Sequence, residues 1–227
     1  MTGVVWCSRG YRVVPTITFS VLDPVAAGDG RLAMSRARLL SRAAVVGGGM
    51  VVGGIAMTGF PSVALGRASP AQDVRVLDLL LLLEYVQAAF YAEANARGSL
   101  RGELAEYSRA VGGHEDEHVA FLKKALGTKA RAKPRVAFRG ATGNPKAFTA
   151  AAIALEDLGV AAYNGQATNV TRKTLAAAAM IVSVEARHAA WIRDIAGQLP
   201  AIAATDPAAT EAEMLDGLRK AGYVKSP

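Results

Sequence analysis

The sequence predicts an all-α chain: an antiparallel four-helix bundle with a long crossover between helices 2 and 3 and a short C-terminal helix. Three observations carry this expectation. After Asp73 the chain is rich in Ala and Leu, with apolar residues recurring three and four apart, the period of an amphipathic helix. Two of the joints in this stretch are tight and one is long, the connectivity of two helical hairpins linked across a bundle. The two hairpins also repeat one another in their polar residues.

The first helix is expected near 73–97, where Gly98-Ser99 makes a tight joint, and the second near 100–127. The link at 128–145 is broken by Pro134, Gly140, Gly143 and Pro145 and is long enough to run the length of a bundle. Its Lys129, Arg131, Lys133, Arg135 and Arg139 read as the charge of a solvated loop rather than an anion site. A third helix near 146–169 turns at Thr171 into a fourth near 171–197. A fifth, near 210–221, has Thr210 as its N-cap and Gly222 at its end. The expected divisions are 1–71 as an N-terminal extension, 72–200 as the bundle and 201–227 as a C-terminal extension.

Glu84-x6-Tyr91 in the first helix recurs as Glu156-x6-Tyr163 in the third. Glu115-x2-His118-x-Ala120-Phe121-Leu122-Lys123 in the second recurs as Glu185-x2-His188-x-Ala190-Trp191-Ile192-Arg193 in the fourth. Gly127 and Gly197 each stand 12 residues beyond their Glu. A repeat of this kind points to a site of pseudo-twofold symmetry on the bundle axis.

Residues i and i+3 of a helix share a face. Glu115 with His118, and Glu185 with His188, can therefore each hold one metal ion, while Glu84 and Glu156 offer a carboxylate from each remaining helix. The settings argue against a solvated face: Glu84 follows a run of five leucines, and Glu156 and Glu185 sit in equally apolar helices. Four carboxylates facing one another in a low-dielectric interior cannot all stay ionised unaided, and two divalent cations would neutralise them. Oxygen and imidazole donors without sulfur suit iron, with manganese as the alternative.

Two lone Glu and two Glu-x-x-His, in this order over about residues 73–197, resemble the ferritin-like superfamily. Within it the chain resembles exported proteins related to the desiccation-associated ferritin-like proteins of plants. The resemblance implies a dinuclear centre of two Fe ions, or Mn, held by Glu84, Glu115, His118, Glu156, Glu185 and His188. In it Glu84 and Glu156 would be terminal ligands and Glu115 and Glu185 bridging ones. It implies dioxygen or peroxide as the reaction partner and a ferroxidase or peroxide-consuming activity.

Tyr91 and Tyr163, two turns from their Glu, read either as phenols that orient a ligand carboxylate or as ordinary core tyrosines. Trp191 and Phe121 read as core packing rather than redox relays. His114, one turn before His118 and after Gly112-Gly113, reads as a partly exposed or helix-loosening position rather than as a support for the site. Asp116 and Glu117 point away from the Glu115/His118 face, and Glu93 and Glu103 carry no such pattern.

The formal charge of +7 does not indicate a nucleic-acid partner. The first 71 residues hold 7 arginines against Asp23 and Asp29, so most of the excess lies there. Arg36, Arg38 and Arg42 precede an uncharged run from Ala43 to Phe60, followed by small residues, which is the plan of an export signal. Its basic start resembles a twin-arginine signal, although Ala37 separates the pair. Cleavage after Gly66 or Ala71 fits the small residues. A retained membrane anchor is the alternative. Met34 directly precedes the basic segment, so translation could start there as well as at Met1. The sole cysteine, Cys7, excludes an internal disulfide and a thiolate-rich metal cluster.

Two readings of other classes stand beside the oxidative one. An iron-storage protein would require a closed cage of subunits. A stress-protective envelope bundle would need metal only for structure, or not at all. The Ala-rich stretch Leu175–Met180 could serve close helix contacts within the chain or in a homo-oligomer.

Overall fold

The computed structural model describes residues 51–52, 55–56 and 68–224. The chain divides into two compact units, Met1–Thr58 and Gly59–Pro227. In the first, two-residue strands β1 (Val51–Val52) and β2 (Ile55–Ala56) pair antiparallel. The rest of the expected signal or anchor, from Arg36 to Arg67, lies outside the described residues, as does the question of Met34.

In the second unit the described residues form five α-helices. They are α1 (Pro70–Arg97), α2 (Gly102–Leu126), α3 (Pro145–Gln166), α4 (Arg172–Ile195) and α5 (Glu211–Lys220). The predicted all-α bundle is present, and every boundary falls within three residues of its expected place. α1 pairs with α2 and α3 with α4 as two hairpins, and α1·α3 and α2·α4 contacts close the bundle.

The helix ends follow from local chemistry. The Ser69 hydroxyl accepts from the Gln72 amide at 3.2 Å, with Pro70 in the first turn, so α1 starts earlier than Asp73. Gly98 closes it in the left-handed region (φ 60°). Asn144 caps α3 in the same way as Ser69, with Pro145 behind it.

α4 has no side-chain cap of its own and borrows one from α1. Asp73 accepts from the Thr171 amide at 2.8 Å and from the hydroxyls of Thr171 and Thr174 at 2.6 and 2.7 Å. Burial works against this charge, but the Thr171 and Thr174 hydrogen bonds outweigh it and hold the carboxyl below the usual range. The hairpins are thus pinned together at one end.

Every residue from Leu79 to Ala88 is buried, Glu84 and Gln87 included. A helix apolar all round is one surrounded by protein. Phe90 of α1 stacks on Phe148 of α3 (5.1 Å) and meets Phe138 of the crossover edge-on (5.4 Å); Phe138 in turn meets Tyr223. The crossover is tied to α1 by Arg131, whose amide and guanidinium both bond Asp78. Lys129, Lys133, Arg135 and Arg139 are exposed.

The C-terminal extension lies along α3. The Ala209 amide donates to the Ala161 carbonyl at 2.7 Å, and Met214 and Leu218 of α5 are buried. Thr210 and Glu213 form a capping box, as the sequence predicts for Thr210.

α4 is long and apolar enough to span a bilayer. In the bundle it turns Ile181, Glu185, His188, Ala189 and Ile192 inward and leaves Leu175 and Met180 exposed.

Candidate metal centre

Each helix of the bundle delivers its acidic residue to one point on the axis. Glu84, Glu115, Glu156 and Glu185 have no exposed surface, and His118 and His188 retain 9% and 3%. The i, i+3 spacing places each His beside the Glu of its own helix.

His118 Nδ1 lies 3.0 Å from Glu185 Oε1, 3.3 Å from Glu84 Oε2 and 3.5 Å from Glu115 Oε2. His188 Nδ1 lies 3.1 Å from Glu115 Oε1, 3.3 Å from Glu156 Oε2 and 3.9 Å from Glu185 Oε1. Two clusters result, Glu84/Glu115/His118/Glu185 and Glu115/Glu156/Glu185/His188, each with its ligand atoms within 4.8 Å of one another. Either could hold a metal ion, and Glu115 and Glu185 belong to both.

The atoms that face one another here make no hydrogen bonds. Glu84 Oε2, both oxygens of Glu115, Glu156 Oε2, Glu185 Oε1 and the Nδ1 of both histidines are buried without a hydrogen-bond partner. Leaving such groups unsatisfied is costly, and a cluster of them could be satisfied by a metal ion. The donor set fits a hard or borderline divalent metal.

Electrostatics agree. Burial, and next the Glu115 charge, push the Glu84 carboxyl up to about 8. Burial, and then Glu84, push Glu185 up to about 7; burial and Glu185 raise Glu115. Burial opposes charge on the imidazoles, but the surrounding carboxylates outweigh it. They lift His118 to about 12 and His188 to about 10. Without metal, these shifts favour keeping protons on the cluster.

The opposite oxygens of the lone carboxylates are held crosswise. The Tyr163 hydroxyl of α3 donates to Glu84 Oε1 of α1 at 2.5 Å, and the Tyr91 hydroxyl of α1 donates to Glu156 Oε1 of α3 at 2.6 Å. Burial first, and then the carboxylate each faces, raise both phenols well above their usual range, so they remain donors. Of the two meanings open to these tyrosines, the hydrogen-bonding one describes them. The repeat read in the sequence is therefore a spatial one.

A family model for a ferritin-like domain matches residues 72–198. The chain belongs to the ferritin-like family. A search of the curated proteins finds no match.

All six residues singled out from the sequence meet at the centre of the ferritin-like bundle. Gln87 joins them unforeseen: its Nε2 donates to Glu156 Oε1 (3.3 Å) and Glu185 Oε2 (3.2 Å). The available signal was its position three residues after Glu84. Gly159 makes room for it, because a Cβ there would stand 2.7 Å from Glu185 Oε2 and 3.2 Å from Gln87 Nε2. Tyr107 is a second addition, its hydroxyl 3.0 Å from that of Tyr91.

Two expectations need correction. His114 is exposed as expected, yet its Nδ1 lies 2.9 Å from His188 Nε2, so it touches the cluster rather than standing apart from it. Exposure and function are compatible here because His188 presents its outer nitrogen toward the surface. Phe121, expected in the core, is 41% exposed. Its repeat mate Trp191 is half-buried and packs edge-on against Tyr107 at 5.2 Å, with its Nε1 donating to Glu103 Oε1 at 3.3 Å. A large residue is accommodated at the one position and not at the other because Tyr107 has an alanine, Ala177, as its counterpart in α4. Asp116 and Glu117 are exposed.

A cavity of about 410 Å³ opens beside the cluster, between α2 and α4. His118 and His188 line it together with His114, Glu117, Val184, Arg187 and Trp191, so Glu117 reaches the cavity mouth although it was expected to point away.

Proposed function

We propose that this ferritin-like chain holds two metal ions, iron first and manganese as the alternative, and uses them to oxidise Fe(II) or consume peroxide. One ion would sit among Glu84, Glu115, His118 and Glu185, the other among Glu115, Glu156, Glu185 and His188. The observation that carries the reading is the set of buried carboxylate and imidazole atoms without hydrogen-bond partners, all turned toward one another. Shared by both clusters, Glu115 and Glu185 would bridge; Glu84 and Glu156 would be terminal. When bound, the metal supplies the redox change and the open coordination positions.

The chain's own residues prepare for this. Tyr163 and Tyr91 each engage Oε1 of a lone carboxylate and leave Oε2 for the ion. Gln87 steadies Glu156 and Glu185 from one side. Dioxygen or peroxide would enter through the cavity between α2 and α4, while the apolar length of α1 keeps water from the other sides.

A second reading, metal as a structural clamp without catalysis, is favoured by one feature: each cluster draws on three of the four helices. Replacing both histidines, His118→Gln with His188→Gln, separates the two. Under the enzymatic reading, the parent oxidises Fe(II) and a variant that still folds does so about tenfold more slowly or worse. A parent protein that melts higher with metal yet oxidises no Fe(II) supports the clamp.

The same proposal places the protein outside the cytoplasm, supported by the arginines and uncharged run of the N-terminal segment. Cleavage after Gly66 keeps the Ser69 cap of α1, whereas cleavage after Ala71 removes it, which favours the former. A mature N-terminus near Arg67 in the exported fraction is the expected finding; an intact N-terminus in the membrane fraction would favour an anchor.

A further inference from the structure

The two metal positions are related by the repeat, but their surroundings are not. Glu84 and His118 receive one supporting hydrogen bond between them, from Tyr163 to Glu84. Glu156 receives two, from Tyr91 and Gln87, and Tyr91 is itself backed by Tyr107. His188 adds a contact that His118 lacks: its outer nitrogen meets His114 at 2.9 Å, with the rings nearly parallel and 5.1 Å apart. Among the described residues no hydrogen bond reaches the outer nitrogen of His118.

The repeat frame gives the reason. The counterparts of Gln87, Tyr107 and His114 in the other hairpin are Gly159, Ala177 and Val184, none with a polar side chain. All three extra groups therefore serve the same half.

We infer that His114 is a positioning residue that makes the two metal positions unequal, so that the one built on Glu156 and His188 fills first. The inference rests on the metal-centre reading above. Two ring nitrogens 2.9 Å apart share one proton. For His188 to offer the Nδ1 lone pair inward, its own proton must sit on Nε2. His114 Nδ1 accepts a hydrogen bond from that N–H, holds the plane of the ring and keeps the proton on Nε2 when the ion displaces the one on Nδ1. A ligand held in its binding geometry beforehand loses less freedom when the ion arrives. His118 has no such support at its outer nitrogen, and it fills second.

The test is an anaerobic titration of Co(II) into the metal-free full-length chain, followed by visible absorption. Two steps are expected, the first tighter by about tenfold or more. His114→Val, which copies the counterpart residue, should weaken the first step by about 10–100-fold and merge it with the second. His114→Asn, which keeps an acceptor oxygen where Nδ1 stood, should restore most of the difference. Val184→His should tighten the second step. Glu156→Ala should remove the tight step and Glu84→Ala the weak one, assigning each. Because His114 is exposed, its two replacements should leave the helical circular dichroism unaltered. Two equal steps, or a tight step indifferent to His114→Val, would overturn the inference alone. A folded protein that binds no Co(II) would overturn the metal-centre reading and the inference with it.

Discussion

Gly159 is the residue at which the absence of a side chain matters most. Its missing Cβ leaves space for Gln87 to reach both Glu156 and Glu185. In a helix interior Ala is better than Gly by about 0.5–1 kcal/mol, so Gly159→Ala should leave the metal-free protein as stable as before or more so. The added methyl would displace the Glu185 carboxylate, and metal affinity should fall by about tenfold or more. Calorimetric metal titration beside thermal unfolding checks both halves, and unchanged affinity would mean that Gln87 is a bystander. The six acidic and imidazole positions were legible because spacing alone puts them on inward faces. Gln87 and His114 were not, because their partners lie on other helices. Whether α2 and α4 bring His114 to His188 depends on interhelical rotation, which one sequence does not specify.

The helices themselves were legible almost to their ends, with Gly98 and Thr210 acting locally as read, whereas the Ser69 and Asn144 caps went unread and start α1 and α3 earlier than expected. The C-terminal arm was legible as a helix but not as a strap, since its docking depends on contacts with α3. Gly165 is the key to that docking: a Cβ at this position would overlap the backbone carbonyl of Ala209. Gly165→Ala should therefore lift the arm, break the Ala209–Ala161 hydrogen bond and loosen Met214 and Leu218. A loss of about 1–3 kcal/mol is expected on urea unfolding, with faster proteolysis across residues 199–209. Metal binding should be retained, because the arm supplies none of the six residues; its loss would show that the arm also shapes the centre.

At the scale of the whole molecule the centre links stability to pH with opposite signs in its two states. Metal-free, the folded chain holds protons on Glu84 and Glu185 up to about pH 8 and 7, where unfolded carboxyls have released theirs near pH 4.5. It likewise keeps His118 and His188 protonated up to about 12 and 10, well above the unfolded value of 6.5. The folded state thus binds more protons: the carboxyls' stabilisation is full below about pH 4.5 and lost as pH rises through 7 and 8, and the imidazoles' is full below 6.5 and lost as pH rises toward 10 and 12. Metal must displace those protons, so its own stabilisation grows over the same range. The melting temperature of metal-free protein should therefore fall from pH 5 to pH 8, while the increment added by metal should rise. A metal-free protein that gains stability across this window would contradict the protonation pattern.

The central claim is that four buried carboxylates and two imidazoles form a dinuclear metal centre. Anaerobic loading of the full-length chain with Fe(II), followed by metal analysis and exposure to oxygen, tests it most directly. About two irons per chain are expected, with ferric absorption appearing on oxidation and both lost in the Glu115→Ala, Glu185→Ala double variant. A folded, helical protein that retains neither iron nor manganese would contradict it.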